Sequence, residues 1–170
     1  TELAEKVQRQ RALKLKRGTG LEDRGERRGI QKTALYVREE HGDLKRVATY
    51  GFSREQEEQG QAIHSAEGIV GQVVQQARLV RLDSVPFDYF KVSSALGEGL
   101  PHSVLVVPTT EDDRVNGVIE LGFLRPLNDR DIELLELIAS NIGTSIEAAR
   151  YRQRLQEVLA ETQQLNEELQ

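Results

Sequence analysis

Cysteine, methionine and tryptophan are all absent from the 170 residues. Without cysteine there is no disulfide framework, no thiolate nucleophile and no cysteine-bound zinc. Aromatic side chains are scarce, four Tyr and four Phe, so any cluster of them carries weight. No apolar run approaches the roughly 18–20 residues that a membrane-spanning helix needs, and no signal-peptide segment is present. The chain therefore reads as soluble and cytoplasmic, with no membrane contact of its own. The missing methionine and the opening at Thr1 read as a segment of something longer.

What is present is 38% hydrophobic and 30% charged residues, the balance of a globular domain with heavily solvated parts. The length suits one domain plus extensions. The net charge of -5 is unevenly spread: residues 1–32 hold ten Lys/Arg against five Asp/Glu, which leaves the remainder near -10. A basic opening suits nucleic acid or anionic lipid. Here Glu residues are interspersed and stacking aromatics are lacking, so it reads as a solvated segment and no nucleic-acid partner is expected.

Residues 1–16 read as a helix, with Leu3, Val7, Leu13 and Leu15 recurring among Glu, Lys, Gln and Arg. From Gly18 to Gly29 the pattern collapses: four Gly and scattered charges leave only Leu21 apolar. Order resumes at the β-branched and aromatic run Thr33-Ala34-Leu35-Tyr36-Val37. A polar turn at His41-Gly42-Asp43 and a second strand over 44–50 make a hairpin. A short strand near 61–64 follows. Ile69, Val70, Val73, Val74 and Ala77 then share the stripe of a short amphipathic helix.

Leu79-Val80-Arg81-Leu82 reads as a strand, and Asp83 opens a connection of about twenty residues, long for a compact domain. Val104-Leu105-Val106-Val107 has the continuous apolar character of a strand buried on both faces. Polar residues 110–114 turn the chain into a second hairpin partner over 115–123. The last element is a helix with a marked start: Asn128 as N-cap, Asp131 at the third helical position, Leu127 placed to staple against Ile132. Leu135, Ile138, Ala139, Ile142, Ile146 and Ala149 form the stripe that would cover a sheet.

Beyond Ala149 the stripe changes phase. Tyr151, Leu155, Val158, Thr162, Leu165 and Leu169 step by four and three, a heptad seam with no globular core to face. Its simplest partner is its own copy in a parallel homodimer. The expected architecture is α+β: a central antiparallel sheet of about six strands with terminal helices on one face and a C-terminal helix running on into a coiled coil. Residues 1–31 read as a helix and irregular linker, 32–150 as the domain, and 151–170 as the coiled-coil helix.

The stretch Gly68-Ile69-Val70-Gly71, the strand–turn–strand over 104–123, and the helix Leu127-Asn128-x-x-Asp131-x-x-Leu134-Leu135-x-x-Ile138-Ala139 together resemble a GAF domain. The resemblance runs from about residue 33 to 150. It implies a sheet of about six strands with a small-molecule pocket on the face opposite the terminal helices. It further implies a sensory module, of the kind common in bacterial sensor histidine kinases, with the effector downstream in the same chain. Residues 17–31 depart from the family, because they lack the apolar helix that normally enters the first strand.

Candidate chemistry concentrates in the connection over 83–102. Phe87, Tyr89 and Phe90 are three of the eight aromatics, and Asp83, Ser93, His102 and Ser103 supply polar groups beside them. Two readings stand: the aromatics wall a ligand pocket, or they merely seal the sheet. No three residues sit at metal-ligand spacing on a helix, and no metal site is expected. The resemblance leaves His64 or His102 open as a haem ligand, whereas covalent bilin attachment needs a cysteine the chain lacks. No cofactor is named by the residues themselves.

No nucleophile elbow surrounds Ser103, and Gly97-Glu98-Gly99 lacks the strand–turn–helix context of a phosphate loop. The Asn-Lys-x-Phe-Asp-Glu signature of cyclic-nucleotide GAF domains is absent, as is the cysteine of the GAF-fold methionine sulfoxide reductases. The sequence thus points to a sensor without catalytic machinery. The alternative is a ligand-free dimerisation and spacer module.

Overall fold

The computed structural model describes residues 30–58, 62–63, 68–85, 92–94 and 97–168. The proposed helix over 1–16, the irregular stretch up to Gly29, His64, Phe87, Tyr89, Phe90 and Leu169 lie outside these residues. The strands are β1 (Ile30–Arg38), β2 (Leu44–Tyr50), β3 (Ala62–Ile63), β4 (Val80–Leu82), β5 (Val92–Ser94), β6 (Gly97–Gly99), β7 (Ser103–Glu111) and β8 (Arg114–Phe123). The helices are α1 (Arg54–Glu58), α2 (Gly68–Gln76) and α3 (Asp129–Glu168).

Six strands form one antiparallel sheet in the order β3-β2-β1-β8-β7-β4. β5 and β6 pair separately as a small hairpin. Each of the three central strands, β1, β8 and β7, buries side chains on both faces, so two cores result. One lies under α3, built from Leu35, Leu105, Val107, Ile119, Leu121 and Phe123 against Leu135, Ile138, Ala139, Ile142 and Ile146. The other lies under α2, where Val70, Val73 and Val74 cover Ala34, Tyr36, Val104, Val106, Val115 and Val118.

Local chemistry sets the element ends. The β7–β8 turn has two central residues, Asp112 and Asp113, with φ of 49° and 60°. That is the geometry whose twist matches a tight hairpin, and Asp tolerates it better than most side chains. At the start of α3 the Asp131 amide donates to Asn128 Oδ1 at 2.9 Å and the Asn128 amide donates to Asp131 Oδ2 at 3.2 Å. This is the reciprocal cap that the Asn128–Asp131 spacing suggests. Arg125 adds a two-pronged ion pair to the same carboxylate, at 2.6 and 3.0 Å.

Three expectations are corrected. Ala77 does not extend the α2 stripe: it sits past the helix end with φ of 50°, exposed, in the left-handed position that terminates helices. Ala149 is exposed, because the straight helix has left the sheet after Ile146. β1 begins at Ile30, two residues before the proposed domain boundary, since Ile30 pairs with Phe123 and is buried.

Candidate functional site

The connection over 83–102 leaves and re-enters the sheet at one end, and there three of the candidate residues meet. Ser103 Oγ donates to Asp83 Oδ1 at 3.4 Å, and His102 Nδ1 lies 3.1 Å from Ser103 Oγ. The direction of the second contact follows the His102 tautomer: with the hydroxyl hydrogen on Asp83, it needs the hydrogen on Nδ1. Arg81 Nε pairs with the same Asp83 oxygen at 2.8 Å. Ser103 is fully buried and sits between the other two, whereas a serine nucleophile needs the histidine in the middle and an exposed hydroxyl. This trio ties the two ends of the connection together.

Strand alternation puts Ser103 on the side of Leu105 and Val107, and Asp83 on the side of Leu79, which belong to the α3-side core. Ser93 lies on β5, opposite Glu98 of β6, so the connection carries its own two-stranded hairpin and Gly97-Glu98-Gly99 forms a strand of it. Sequence reasoning missed that hairpin because its strands are three residues each and rich in Ser and Gly.

On the α2 side the sheet carries a polar group that sequence reasoning also missed. Lys32, almost wholly buried, donates from Nζ to Gln56 Oε1 at 2.8 Å and lies 4.6 Å from the centre of the Phe52 ring. Arg46 stacks on the same ring at 5.1 Å and donates to the Gln56 and Glu57 carbonyls, both at 2.8 Å, tying α1 to the sheet. The Tyr36 hydroxyl shares hydrogen bonds with Arg46 and Glu120. The available sequence signal was Glu120, charged between Ile119 and Leu121 in a strand that is otherwise apolar from Gly117 onward.

Tyr36 yields a pH prediction. Burial pushes its pKa from the ordinary 10.0 up to about 12; Glu120 adds to the rise and Arg46 opposes it. In the unfolded chain the phenol ionises near 10, so its contribution to stability is complete below that pH. It is lost as pH climbs from about 10 to about 12, a total of about 2–3 kcal/mol. Urea midpoints measured across that window should fall less steeply for Tyr36→Phe than for the parent chain. Equal slopes would mean the phenol is not buried as described.

A groove of about 510 Å³ opens on the other side of the sheet, lined by Ala77, Arg78, Leu79, Val107, Glu136 and Ser140 among others. It runs between the α2–β4 link and α3, away from the connection over 83–102. Its lining comes from three distant stretches of chain, which is why no motif announced it. Among the described residues, no group of three His, Asp or Glu is placed to hold a metal ion. Nor is any helix among them long and apolar enough to cross a membrane.

α3 is fastened to the β7–β8 hairpin by a buried polar network. The β7–β8 register shifts between Thr109 and Thr110, leaving Asn116 as the extra residue of a bulge, a device that re-aims a side chain. Asn116 Nδ2 donates to the Gly143 carbonyl at 2.9 Å and to Glu147 Oε1 at 3.0 Å, while Thr109 Oγ1 donates to Asn116 Oδ1 at 2.8 Å. Arg150 closes the network, donating to Glu147 Oε1 at 2.8 Å and to the Arg38 carbonyl. After Arg150 every described side chain of α3 is exposed through Glu167, including Tyr151, Leu155, Val158, Thr162 and Leu165. Among the described residues, contact between α3 and the rest of the domain therefore ends at Arg150.

The family model of the GAF domain matches residues 24–147. The comparison with curated proteins gives no match. Among solved structures, the chain is similar to the GAF domain from a phosphoenolpyruvate-protein phosphotransferase of Coxiella burnetii. The TM-score is 0.64 at 19% identity, covering 86% of this chain and 98% of that one. The second GAF domain of DevS from Mycobacterium smegmatis gives 0.64 at 20%, covering 85% and 99%. A type II free methionine-R-sulfoxide reductase from Thermoplasma acidophilum gives 0.59 at 20%, covering 76% and 93%. At such identities the likeness carries the fold alone.

Proposed function

This chain belongs to the GAF domain family, and we propose that it is the sensory domain of a cytoplasmic signal-transduction protein, with a histidine kinase as the effector expected downstream. It binds a small molecule and relays its state through a homodimeric C-terminal helix. The observation that carries this reading is α3 itself. Its first half is part of the domain core, and its second half presents Leu155, Val158 and Leu165, each more than half exposed, at heptad spacing. One rigid element thus belongs to both the sensing body and the output.

The ligand lies between the sheet and the connection over 83–102, with Phe87, Tyr89 and Phe90 as apolar walls and Asp83, Ser93, His102 and Ser103 as polar contacts. Occupancy favours one packing of that connection, and the packing biases the register or rotation of α3. The shift can be no larger than the ligand's differential affinity for the two packings. The spacer reading draws on α2, whose Val70, Val73 and Val74 already fill part of the sheet face opposite α3, and on Asp83 and Ser103, which lie on the α3 side. Mass spectrometry of small molecules retained by the purified chain separates the two readings, since a spacer retains none.

The dimer has its own test. Leu155→Glu with Leu165→Glu should give a folded monomer by sedimentation, because the changed side chains touch nothing in the domain. A double variant that still dimerises with unchanged affinity would remove the seam as the interface.

A further inference from the structure

The groove between the α2–β4 link and α3 has a local cause. β4 pairs with β7 only through Val80 with Val106, Arg81 with Leu105 and Leu82 with Val104, although β7 runs on to Glu111. Pro108, just past the last of these pairs, brings no amide hydrogen to a ladder. On the other side of the gap, Ala77 ends α2 in the left-handed conformation, with φ of 50°, and pairing starts only at Val80. The two stretches stand apart there and leave a space of about 510 Å³. Its apolar lining is Leu79, Val107 and Pro108; Val107 is 2% exposed and the other two are half-buried.

Opposite charges stand on the two walls. Arg78 belongs to the link and Glu136 to α3, and both are exposed. Among the described residues, neither has a hydrogen-bond or ion-pair partner. Ser140, about one turn on from Glu136, adds a hydroxyl to the α3 wall. A cation facing an anion across an apolar lining suits a small zwitterion, and the space falls in the roughly 300–1,000 Å³ of small-molecule sites.

We propose that this groove is a second ligand site, which takes a free α-amino acid with an apolar side chain. The Arg78 guanidinium holds the carboxylate through paired N–H donors. Glu136 accepts from the ammonium, with Ser140 Oγ as a further acceptor. The side chain rests on Leu79, Val107 and Pro108. The site does not depend on the one proposed at the connection over 83–102. Its occupant touches the residues that leave α2 and the sheet-packed half of α3 at once. It therefore bears on the output helix without passing through that connection.

Titration calorimetry on the full, dialysed chain tests this with leucine, valine and phenylalanine as probes. At least one should bind saturably. Its amide, which lacks the carboxylate, and its N-acetyl derivative, which lacks the ammonium, should each bind at least about tenfold more weakly. Arg78→Gln should erase the preference over the amide, and Glu136→Gln the preference over the N-acetyl derivative. Both changed side chains are exposed, so unchanged urea midpoints confirm that the variants fold. No binding by any of the three amino acids would overturn the site, as would equal binding of an amino acid and its two derivatives. Binding that both variants leave unchanged would also overturn it; loss of that binding in Phe87→Ala would move the ligand to the connection.

Discussion

Replacing Gly143 by alanine is expected to destabilise the fold by about 2–4 kcal/mol, against the usual expectation for a helix. In an exposed helix interior the same change adds up to about 1 kcal/mol of stability. The sign reverses because α3 crosses the β7–β8 hairpin at this residue. A Cβ there would lie 2.3 Å from the Thr110 carbonyl oxygen, 2.8 Å from its nitrogen and 2.9 Å from its carbonyl carbon. All three are backbone atoms of Thr110, which pairs with Val115 of β8, so they cannot swing away as a flexible side chain would. Backing the helix off instead would stretch the bonds from Asn116 to Gly143 and Glu147 and strand Thr109, whose side chain is buried. Urea unfolding of Gly143→Ala beside Gln163→Ala, an exposed site where the change should be near neutral, measures the difference. A Gly143→Ala chain as stable as the parent would mean that the helix does not sit on the hairpin in this way.

Leu121→Ala and Ile142→Ala should each cost about 2–5 kcal/mol, from lost burial and from the cavity left behind. Leu121 sits on β8 directly opposite Leu105 of β7, and Ile142 comes down on the same cluster from α3. Each is 1% exposed. Because both belong to one core, the double variant should lose less than the sum of the singles. Chemical denaturation of the three variants settles the matter. Losses no larger than for Gln163→Ala would rule out a sheet packed under this helix.

The strands and helices that sequence reasoning placed well are those whose own residues declare a period. The run Ile119, Leu121, Phe123 alternates with Glu120 and Gly122, and the Asn128–Asp131 cap announces α3 within four residues. What escaped depends on partners far away in the chain. The burial of Lys32 and its bond to Gln56, or the grouping of Tyr36 with Arg46 and Glu120, follows only once β1 is flanked by β2 and β8. Asn116 looked like one more polar residue near a turn, and its bulge is visible only in the register of β7 and β8. Of the candidate ligand residues, the meeting of Asp83, His102 and Ser103 was legible in outline, since a connection must return to the sheet near where it left. Their order along the hydrogen-bond chain was not.

The central claim is that α3 belongs at once to the domain core and to a dimer, so that the two equilibria are coupled. Amide hydrogen exchange at Val104, Leu105, Val106 and Val107, measured over the protein concentrations where sedimentation passes from monomer to dimer, tests it most directly. β7 contacts α3 but lies wholly inside the domain, so its amides report the domain alone. Coupling requires slower exchange as dimer forms, since association stabilises whatever state it selects. Protection that stays constant across the same range would show a tail that pairs without the domain taking part, and would contradict the relay.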